Sequence, residues 1–407
     1  MPKVLQINSV YGIGSTGRLT RDLHHALVRD GFESIVLYGR GPSSQDECVI
    51  RVCSDLYGKA QSLASRLTGL SYGGCSLSTA TILKIISRAQ PDIVHLQCVN
   101  EHFVNVYRLV SWLRDNRIRT VLTLHADFMF TANCGSSLGC EGWRDGCRVC
   151  PNVKRATKSL LLNRTAESYD RLRIAFDGFG NRLSVVSVSP WLMERAKSSP
   201  MLVGFRHSTI MNGIDTSIFR PIYSQDVRQL QLLDGRSIVL HVTSQFDDSQ
   251  DYLKGGSYVL ELARRMINDR VMFVVIGPSR VTSVIPENVV LLGKLSEASE
   301  LACWYNAASC TLLTSEQETF SLVCAESLCC GTPVVGFRAG GPESIAYRAA
   351  STFVSHGDLD ALESCVREAI QGKWNRRISV AEQAHSLYGV ETMVSRYEEE
   401  YRRMLCH

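Results

Sequence analysis

The stretch ETFSLVCAESLCCGTPVV, residues 318–335, follows one short apolar run, residues 309–313, and ends within a second one, residues 333–336. Each run has the length and apolar character of a buried strand, and the residues between them suit a loop followed by a helix. The stretch therefore predicts a strand, a helix and a second strand, which is the repeating unit of α/β proteins with parallel sheets.

The same alternation extends over the whole chain. Helical patterns separate the predicted strands, and the helix Gly17–Arg29 carries Leu19, Leu23 and Leu27 on one face. Strands are predicted at residues 4–8, 34–38, 93–96, 120–124, 183–188, 208–211, 238–243, 271–276, 289–292, 309–313 and 333–336. We predict an α/β protein with a first domain at residues 1–189, a second at 190–380 and a helical segment at 381–407.

Composition limits the classes of protein that this chain can belong to. Its 407 residues are 45% hydrophobic and 21% charged, which is typical of a globular protein and excludes a disordered or fibrous one. No apolar run reaches the roughly 18 residues that span a bilayer, and the N-terminus is too quickly polar for a signal peptide. The 15 cysteines are odd in number and mostly scattered in apolar patterns, which indicates thiols in a reducing compartment. We therefore expect a cytoplasmic protein.

Charge is distributed unevenly between the two halves of the chain. Residues 1–190 hold 23 Lys and Arg against 15 Asp and Glu, whereas the remainder holds 21 against 25. A basic half suggests an anionic partner, such as a membrane surface or a phosphorylated substrate, and chance clustering is the alternative. No block of basic residues with interleaved aromatic residues is present, so we expect no nucleic-acid partner.

Two carboxylates lie eight residues apart across the predicted loop and helix, at Glu318 and Glu326. Glu326 falls inside an apolar run, where a carboxylate needs hydrogen-bonding partners, and sugar hydroxyls can supply them. The backbone amides of Phe320, Ser321 and Leu322 would begin the helix and could bind a diphosphate.

A second glycine-rich turn, Gly12–Gly17, follows the first predicted strand and matches G-x-G-x-x-G. It fits three interpretations: phosphate or sugar binding near Gly14, a purely structural turn, or dinucleotide binding. The last requires an acid at the end of the second strand, which here ends Tyr38-Gly39-Arg40. An arginine suits a 2′-phosphate, so NADP stays open.

The segment Glu318–Pro333 resembles the E-x7-E signature of retaining glycosyltransferases of the GT-B fold, especially glycosyltransferase family 4. Pro91–His95, Thr123–His125 and Asn212–Asp215 resemble further stretches of that family in the same order. Within the family, the likeness is greatest to bacterial colanic-acid, O-antigen and capsule enzymes. The resemblance implies two Rossmann-like domains facing across a cleft, with a C-terminal helix returning toward the N-terminal domain.

The resemblance also implies roles for individual residues around the carboxylate pair. Glu318 would meet the hydroxyls of the transferred sugar, Glu326 the ribose hydroxyls, and Ser321 with its neighbours the distal phosphate. Lys254 matches the family lysine that neutralises the diphosphate leaving group. An arginine usually precedes that lysine by about ten residues, after a strand, but the residues here are Thr243–Phe246.

Three more residues receive roles in the same way. Gly277 and Lys294, the latter within Gly293–Leu295, would line the base pocket. His125 follows a predicted parallel strand, where ligand clefts form, and would hold the donor sugar or orient the acceptor hydroxyl. A histidine buried in the core is the alternative for His125.

Four cysteines are clustered in 17 residues of glycine-rich sequence, at Cys134, Cys140, Cys147 and Cys150. Four thiols can bind a structural zinc ion, but only one Cys-x2-Cys pair is present, so reversibly oxidised thiols and disulfides remain alternatives. A zinc ion held by all four thiols would be structural, because no coordination position would stay open. We expect no cofactor for catalysis.

A basic stretch follows the cysteines and is interrupted by Leu160, Leu161 and Leu162. Its six basic residues are Lys154, Arg155, Lys158, Arg164, Arg171 and Arg173. The stretch suits either a solvated helix face or contact with anionic lipid headgroups or a lipid-linked pyrophosphate.

Together these features predict a retaining glycosyltransferase. Its donor would be a nucleotide-diphosphate sugar, with UDP favoured over GDP, and its acceptor a lipid-linked saccharide at the inner face of the cytoplasmic membrane. The product would be a bacterial surface polysaccharide. The alternatives are a nucleotide-sugar 2-epimerase of the same fold and an NADP-dependent oxidoreductase that uses Gly12–Gly17.

Overall fold

The computed structural model describes residues 1–223, 235–373 and 377–406. The side chains of Ala156 and of Arg155, one of the six basic residues above, also lie outside the described part. The described chain forms two compact units. The first comprises Met1–Met211 and the chain from Met393 onward, and the second comprises Asn212–Thr392.

A seven-stranded parallel sheet forms the centre of the first unit. Its strands are β1 (Lys3–Val10), β2 (Glu33–Arg40), β3 (Val49–Arg51), β4 (Ile93–Leu96), β5 (Arg119–Leu124), β6 (Leu183–Ser187) and β7 (Arg206–Thr209). Their order is β3-β2-β1-β4-β5-β6-β7, and every pair is parallel. The order changes direction between β1 and β4, which places a crevice at the carboxyl ends of these two strands.

Helices connect these strands, as the alternating pattern predicts. They are α1 (Gly14–Arg29), α2 (Asp55–Thr68), α3 (Ser76–Ala89), α4 (Val106–Asp115), α5 (Phe128–Thr131), α6 (Val153–Ala156), α7 (Thr165–Phe176) and α8 (Pro190–Lys197), with 3₁₀ turns at Gly142–Asp145 and Gly180–Arg182. In α1, Leu19, Leu23 and Leu27 are all buried, so the apolar face expected from their spacing is the face that packs.

The second unit repeats this architecture with six strands. They are β8 (Ser237–Val242), β10 (Val271–Ile276), β12 (Val289–Gly293), β13 (Cys310–Leu313), β14 (Val334–Phe337) and β15 (Ser351–Val354), and a separate pair is formed by β9 (Phe246–Asp247) and β11 (Ser279–Arg280). The sheet order is β12-β10-β8-β13-β14-β15, all parallel. Its direction changes between β8 and β13, so the expected ligand crevice lies at the ends of these two strands.

The described residues of the second unit, 212–223, 235–373 and 377–392, contain six complete helices. They are α9 (Gly256–Arg265), α10 (Ala298–Ala307), α11 (Leu322–Cys329), α12 (Gly341–Ile345), α13 (Leu359–Ile370) and α14 (Arg377–Tyr388). The strands β13 and β14 are buried throughout, as expected for a parallel sheet covered on both faces. The stretch 318–335 therefore adopts the loop, helix and strand that its sequence predicts.

The boundary between the units lies later than the residue 189/190 division expected from the sequence. β7 pairs in parallel with β6, so the chain stays in the first sheet as far as Met211. The segment predicted at 381–407 is also divided, because α14 belongs to the second unit. Periodicity alone does not tell which neighbour a short strand such as Arg206–Thr209 pairs with.

The last helix, α15 (Val390–Cys406), packs on the first unit from Met393 onward. The Tyr401 hydroxyl lies 2.7 Å from His95 Nδ1 on β4, and the Tyr397 hydroxyl lies 3.0 Å from Thr123 Oγ1 on β5. Ser184 Oγ donates to the buried Glu400 carboxylate at 2.7 Å. The C-terminal helix therefore returns to the N-terminal domain, as predicted.

Across the described ranges, 1–223, 235–373 and 377–406, none of the helices is long and apolar enough to span a lipid bilayer.

Candidate functional site

The carboxyl end of β13 positions Glu318. The backbone N–H of Glu318 donates to the carbonyl of Ala339 at 2.9 Å, and the N–H of Gly341 donates to the carbonyl of Glu318 at 2.8 Å. These bonds fix the loop that follows β13 against the loop that follows β14. Glu318 is thereby held at the edge of the sheet where the strand order changes direction.

Glu318 forms an ion pair with Lys254, 64 residues earlier, with Nζ 2.8 Å from Oε1. Ser315 Oγ donates to the same oxygen at 2.7 Å. Burial would raise the pKa of Glu318, but the charge of Lys254 and these hydrogen bonds hold it below its usual value. Burial would likewise lower the pKa of Lys254, and the Glu318 charge raises it instead. The pair is therefore ionised at neutral pH.

Gly255 allows Lys254 to approach β13. Its φ of 65° is left-handed, and a Cβ atom there would lie 2.2 Å from the carbonyl oxygen of Thr314. The Thr314 hydroxyl donates to the carbonyl of Lys254 at 2.8 Å, so the two backbones are in direct contact. A glycine is required after Lys254 because no side chain fits between these two backbone segments.

The helix α11 begins four residues after Glu318, at Leu322. Its N-cap, Ser321, has a φ of 78°, and its hydroxyl accepts a hydrogen bond from Cys324 N at 3.3 Å. The Phe320 ring is buried and packs edge-on against Tyr388, so only the Phe320 backbone remains for ligand contact. The first-turn amides of a helix, here from Leu322 onward, have no partners within the helix and favour an anion.

Glu326 is buried on the same helix, with 6% exposure. The hydroxyl of the fully buried Tyr305, on α10, donates to Glu326 Oε2 at 3.0 Å. Sequence reasoning missed Tyr305, because nothing in the α10 sequence shows that its ring reaches α11. One carboxylate oxygen of Glu326, the residue predicted to bind the ribose, is thus already hydrogen-bonded within the protein.

His241 is a second residue that sequence reasoning missed. It lies near the carboxyl end of β8, and its Nδ1 lies 3.0 Å from the carbonyl oxygen of Leu312. Burial lowers the pKa of His241 to about 4, and the charge of Lys254 adds to this effect, so the ring is neutral. A carbonyl only accepts hydrogen bonds, so Nδ1 carries the proton and Nε2 is an acceptor. His241 supplies no positive charge in place of the missing arginine.

Gly277 and Lys294 lie directly after two neighbouring strands, β10 and β12. Gly277 follows β10 with a φ of 142°, and a Cβ atom there would lie 2.1 Å from the carbonyl oxygen of Thr243. Its N–H donates to the carbonyl of Gly293 at 2.7 Å, and the exposed Lys294 follows directly. Gly277 and Lys294 therefore lie at the carboxyl ends of two adjacent strands, β10 and β12.

In the first unit, Gly14 and His125 also lie at carboxyl ends of strands. Gly14 begins α1 just after β1, with a φ of 64°, and the N–H of Gly12 donates to the carbonyl of Gly17 at 2.9 Å. His125 follows β5 directly and is mostly buried, which lowers its pKa to about 4. These positions agree with a ligand site at this edge of the first sheet.

The four clustered cysteines lie around one small cavity of about 20 Å³, and none of them is in a disulfide. Burial raises the pKa of Cys134 to about 11 and that of Cys147 to about 12. In the part of the chain that the structure describes, no group of three or more His, Cys, Asp or Glu side chains is arranged to hold a metal ion. The thiols are gathered but do not form a ready metal site, so zinc binding stays a prediction.

Comparisons with known proteins show which proteins this chain resembles. Residues 238–372 match the family Glycosyl transferases group 1. Over 98% of the chain, the sequence is 20% identical to a putative colanic acid biosynthesis glycosyl transferase, WcaC, of Escherichia coli K12, and all of that protein is covered.

Two solved structures have the same fold over almost the whole chain. Sucrose-phosphate synthase of Thermosynechococcus elongatus matches with a TM-score of 0.69 and 16% identity, covering 100% of both chains. Anabaena HepE in complex with UDP matches with a TM-score of 0.62 and 15% identity, covering 99% of this chain and 100% of that one. The predicted likeness to glycosyltransferases is confirmed: the chain has the GT-B fold, and residues 238–372 match the family Glycosyl transferases group 1.

Proposed function

We propose that this protein transfers a sugar from a nucleotide-diphosphate sugar to a saccharide acceptor, with retention of the anomeric configuration. The observation that carries the proposal is the ionised pair of Lys254 and Glu318 beside the N-terminus of α11. A sugar transfer of this kind develops negative charge on the departing diphosphate. A lysine and free helix amides stabilise that charge most where water is excluded.

The two members of the pair have different roles in this proposal. Lys254 Nζ and the first-turn amides of α11 bind the diphosphate, and the Glu318 carboxylate accepts hydrogen bonds from hydroxyls of the transferred sugar. In the absence of donor, Glu318 and Ser315 keep the lysine in place, because Glu318 Oε1 contacts both. Glu326, held by Tyr305, is oriented for the ribose hydroxyls.

We propose UDP rather than GDP as the nucleotide. Support comes from Anabaena HepE, whose structures were determined with UDP and with UDP-glucose and share this fold. Gly277, Gly293 and Lys294 would contact the base. Retention rests on the resemblance of Glu318–Pro333 to retaining enzymes and is tested by the anomeric NMR signal of the product.

The acceptor in this proposal is a lipid-linked saccharide of surface polysaccharide synthesis. Two observations support it: the similarity to WcaC along the whole chain, and the excess of basic residues in positions 1–190. We place the protein at the inner face of the cytoplasmic membrane, attached peripherally through anionic lipid.

Ligand binding gives the first test. Thermal denaturation is measured with UDP, GDP, NAD and NADP, because a ligand at hundredfold excess over its Kd stabilises the folded state by about 2.7 kcal/mol. We expect the midpoint to rise with UDP. A rise with NADP alone would move the site to Gly12–Gly17 and overturn the proposal, and an altered free sugar formed without acceptor would indicate an epimerase.

Turnover gives the second test. Lys254→Ala and Glu318→Gln are each expected to lower kcat by about 10²–10³ while the protein stays folded. Lys373→Ala and Glu368→Gln are matched controls, since these two residues form an exposed ion pair elsewhere in the second unit. Parent-like transfer by Lys254→Ala or Glu318→Gln would remove that residue from the mechanism.

A further inference from the structure

The first unit contains a cavity of about 730 Å³ that the donor site does not use. It lies between α2, the loop after β4 and the chain that follows α6, which contribute Lys59, Asn100–Phe103 and Thr157-Lys158 to its wall. A volume of this size holds a drug-sized ligand or a sugar diphosphate.

The cavity has an excess of positive charge. Its two carboxylates are already paired, Glu101 with Arg40 and Asp55 with Arg51. Three further cations, Lys59, Arg66 and Lys158, line the same wall. Among the residues that the structure describes, no carboxylate forms an ion pair with any of these three.

Positive charge in the wall of the cavity affects the pKa of a histidine there. Burial lowers the pKa of His102, and the charges of Arg40 and Lys158 lower it further. The other basic residues near Lys158 behave differently, because Arg164 and Arg171 both pair with Glu167 on α7. Among the members of this stretch whose side chains are described, Lys158 lines the cavity, together with Lys59 and Arg66 of α2.

Beside the cavity, six leucines form an exposed surface, which we call the leucine ridge. They are Leu56, Leu63, Leu67, Leu160, Leu161 and Leu162, with exposures of 79%, 56%, 44%, 60%, 74% and 51%. The first three share one face of α2, next to the face that carries Lys59 and Arg66. The other three follow α6, and the N–H of Leu160 donates to the carbonyl of Arg66 at 2.8 Å.

We infer that this cavity binds the diphosphate group of a lipid-linked acceptor, whose hydrocarbon chain lies along the leucine ridge. Exposed leucines next to these three cations match an amphiphile with an anionic head, because the leucines suit its hydrocarbon chain and the cations suit its head. Three cations without carboxylate partners suit a diphosphate better than a neutral headgroup. The inference rests on the proposed function, since it names the acceptor of that reaction.

Binding is tested without turnover, using the full-length chain. The protein is sedimented with phosphatidylcholine vesicles that contain a few per cent of either a polyprenyl diphosphate or phosphatidylglycerol at equal charge. We expect binding to the diphosphate vesicles to be about tenfold tighter or more. Equal binding to the two would show attraction to surface charge alone and would overturn the inference.

Variants separate the two halves of the surface. A triple variant, Lys59→Gln, Arg66→Gln and Lys158→Gln, is expected to lose the tenfold preference for diphosphate vesicles. A control variant, Lys84→Gln with Arg88→Gln at exposed positions of α3, is expected to keep it. Leu63→Ser with Leu67→Ser is expected to lose vesicle binding but to keep binding of water-soluble geranyl diphosphate. Parent-like preference in the triple variant would overturn the inference.

The thermal response to UDP is measured for every variant. A cavity variant that keeps this response but loses the diphosphate preference supports the acceptor site. A parent chain with no response to UDP would instead refute the proposed donor site, so the two failures can be told apart.

Discussion

The Tyr305 hydroxyl donates a hydrogen bond of 3.0 Å to Glu326 Oε2, and both side chains are buried. This bond joins α10 to α11 and fixes the orientation of the carboxylate that we expect to bind ribose. Tyr305 therefore acts on the donor through Glu326 and is a positioning residue.

Removing this hydroxyl tests its role. In Tyr305→Phe the ring still fills its space, but a buried carboxylate oxygen loses a donor, at a cost of about 1–3 kcal/mol. We expect KM for the donor to rise about tenfold, with a smaller change in kcat. Tyr347→Phe is the control, because its hydroxyl bonds to the carbonyl of Val380 and not to Glu326. Equal effects of the two substitutions on KM would contradict the positioning role.

Gly255 provides a test of the backbone geometry beneath Lys254. Gly255→Ala places a Cβ atom 2.2 Å from the Thr314 carbonyl oxygen, in addition to the cost of a left-handed φ. We expect the free energy of unfolding to fall by about 3 kcal/mol or more. Gly357→Ala is the control, since its φ of 85° is also left-handed but the nearest atom is 3.7 Å away. There we expect about 1 kcal/mol. Denaturant unfolding would contradict this account if both variants lost the same amount.

Buried neutral histidines predict a loss of stability in mild acid. Burial is the main cause that lowers the pKa of His241 to about 4 and that of His95 to about 3, whereas the unfolded chain titrates near 6.5. Between pH 6.5 and 4 the unfolded chain binds more protons, so stability decreases as pH falls through this range.

His241→Gln removes one such group. The variant is expected to lose less stability between pH 7 and pH 5 than the parent, by about 2 kcal/mol. Thermal denaturation at both pH values measures the difference. An unchanged pH dependence would show that His241 is protonated in the folded protein.

The four clustered cysteines predict that the purified protein contains zinc. If zinc binds, protein purified under reducing conditions holds about one zinc ion per chain, ligated by the four thiols around the small cavity. Elemental analysis is expected to find this zinc in the parent and in Cys48→Ser, an exposed cysteine outside the cluster, but not in Cys147→Ser. Four freely titrating thiols without zinc in the parent chain would refute the prediction.

Much of the second unit could be predicted because its site residues lie at the ends of predicted strands. Glu318 follows β13, and Lys254 lies in the loop before α9 that contacts the same segment through the hydrogen bond from Thr314 to the Lys254 carbonyl. Tyr305 and His241 could not be predicted, because their roles depend on which side chain or carbonyl each ring faces. That information lies in packing between elements and not in the spacing of residues along one element.

The residue at which the first unit ends could not be predicted from the sequence, for a related reason. β7 is short and half-exposed, so its sequence does not identify it as the edge strand of the first sheet. The cysteine cluster shows the same limit, since spacing gathers the thiols around one cavity but does not fix the positions of the sulfur atoms.

The return of α15 to the first unit has a consequence for how the protein is made. Its Tyr401 meets His95 across 306 positions of chain, and its Tyr397 meets Thr123 across 274. During synthesis the ribosome therefore finishes the second unit before the first can bury these strands. The first unit therefore completes its packing only after the second has been synthesised, although domains usually fold in order from the N-terminus. Until α15 is made, the residues that it covers stay exposed, and this is the period in which a chaperone would be needed.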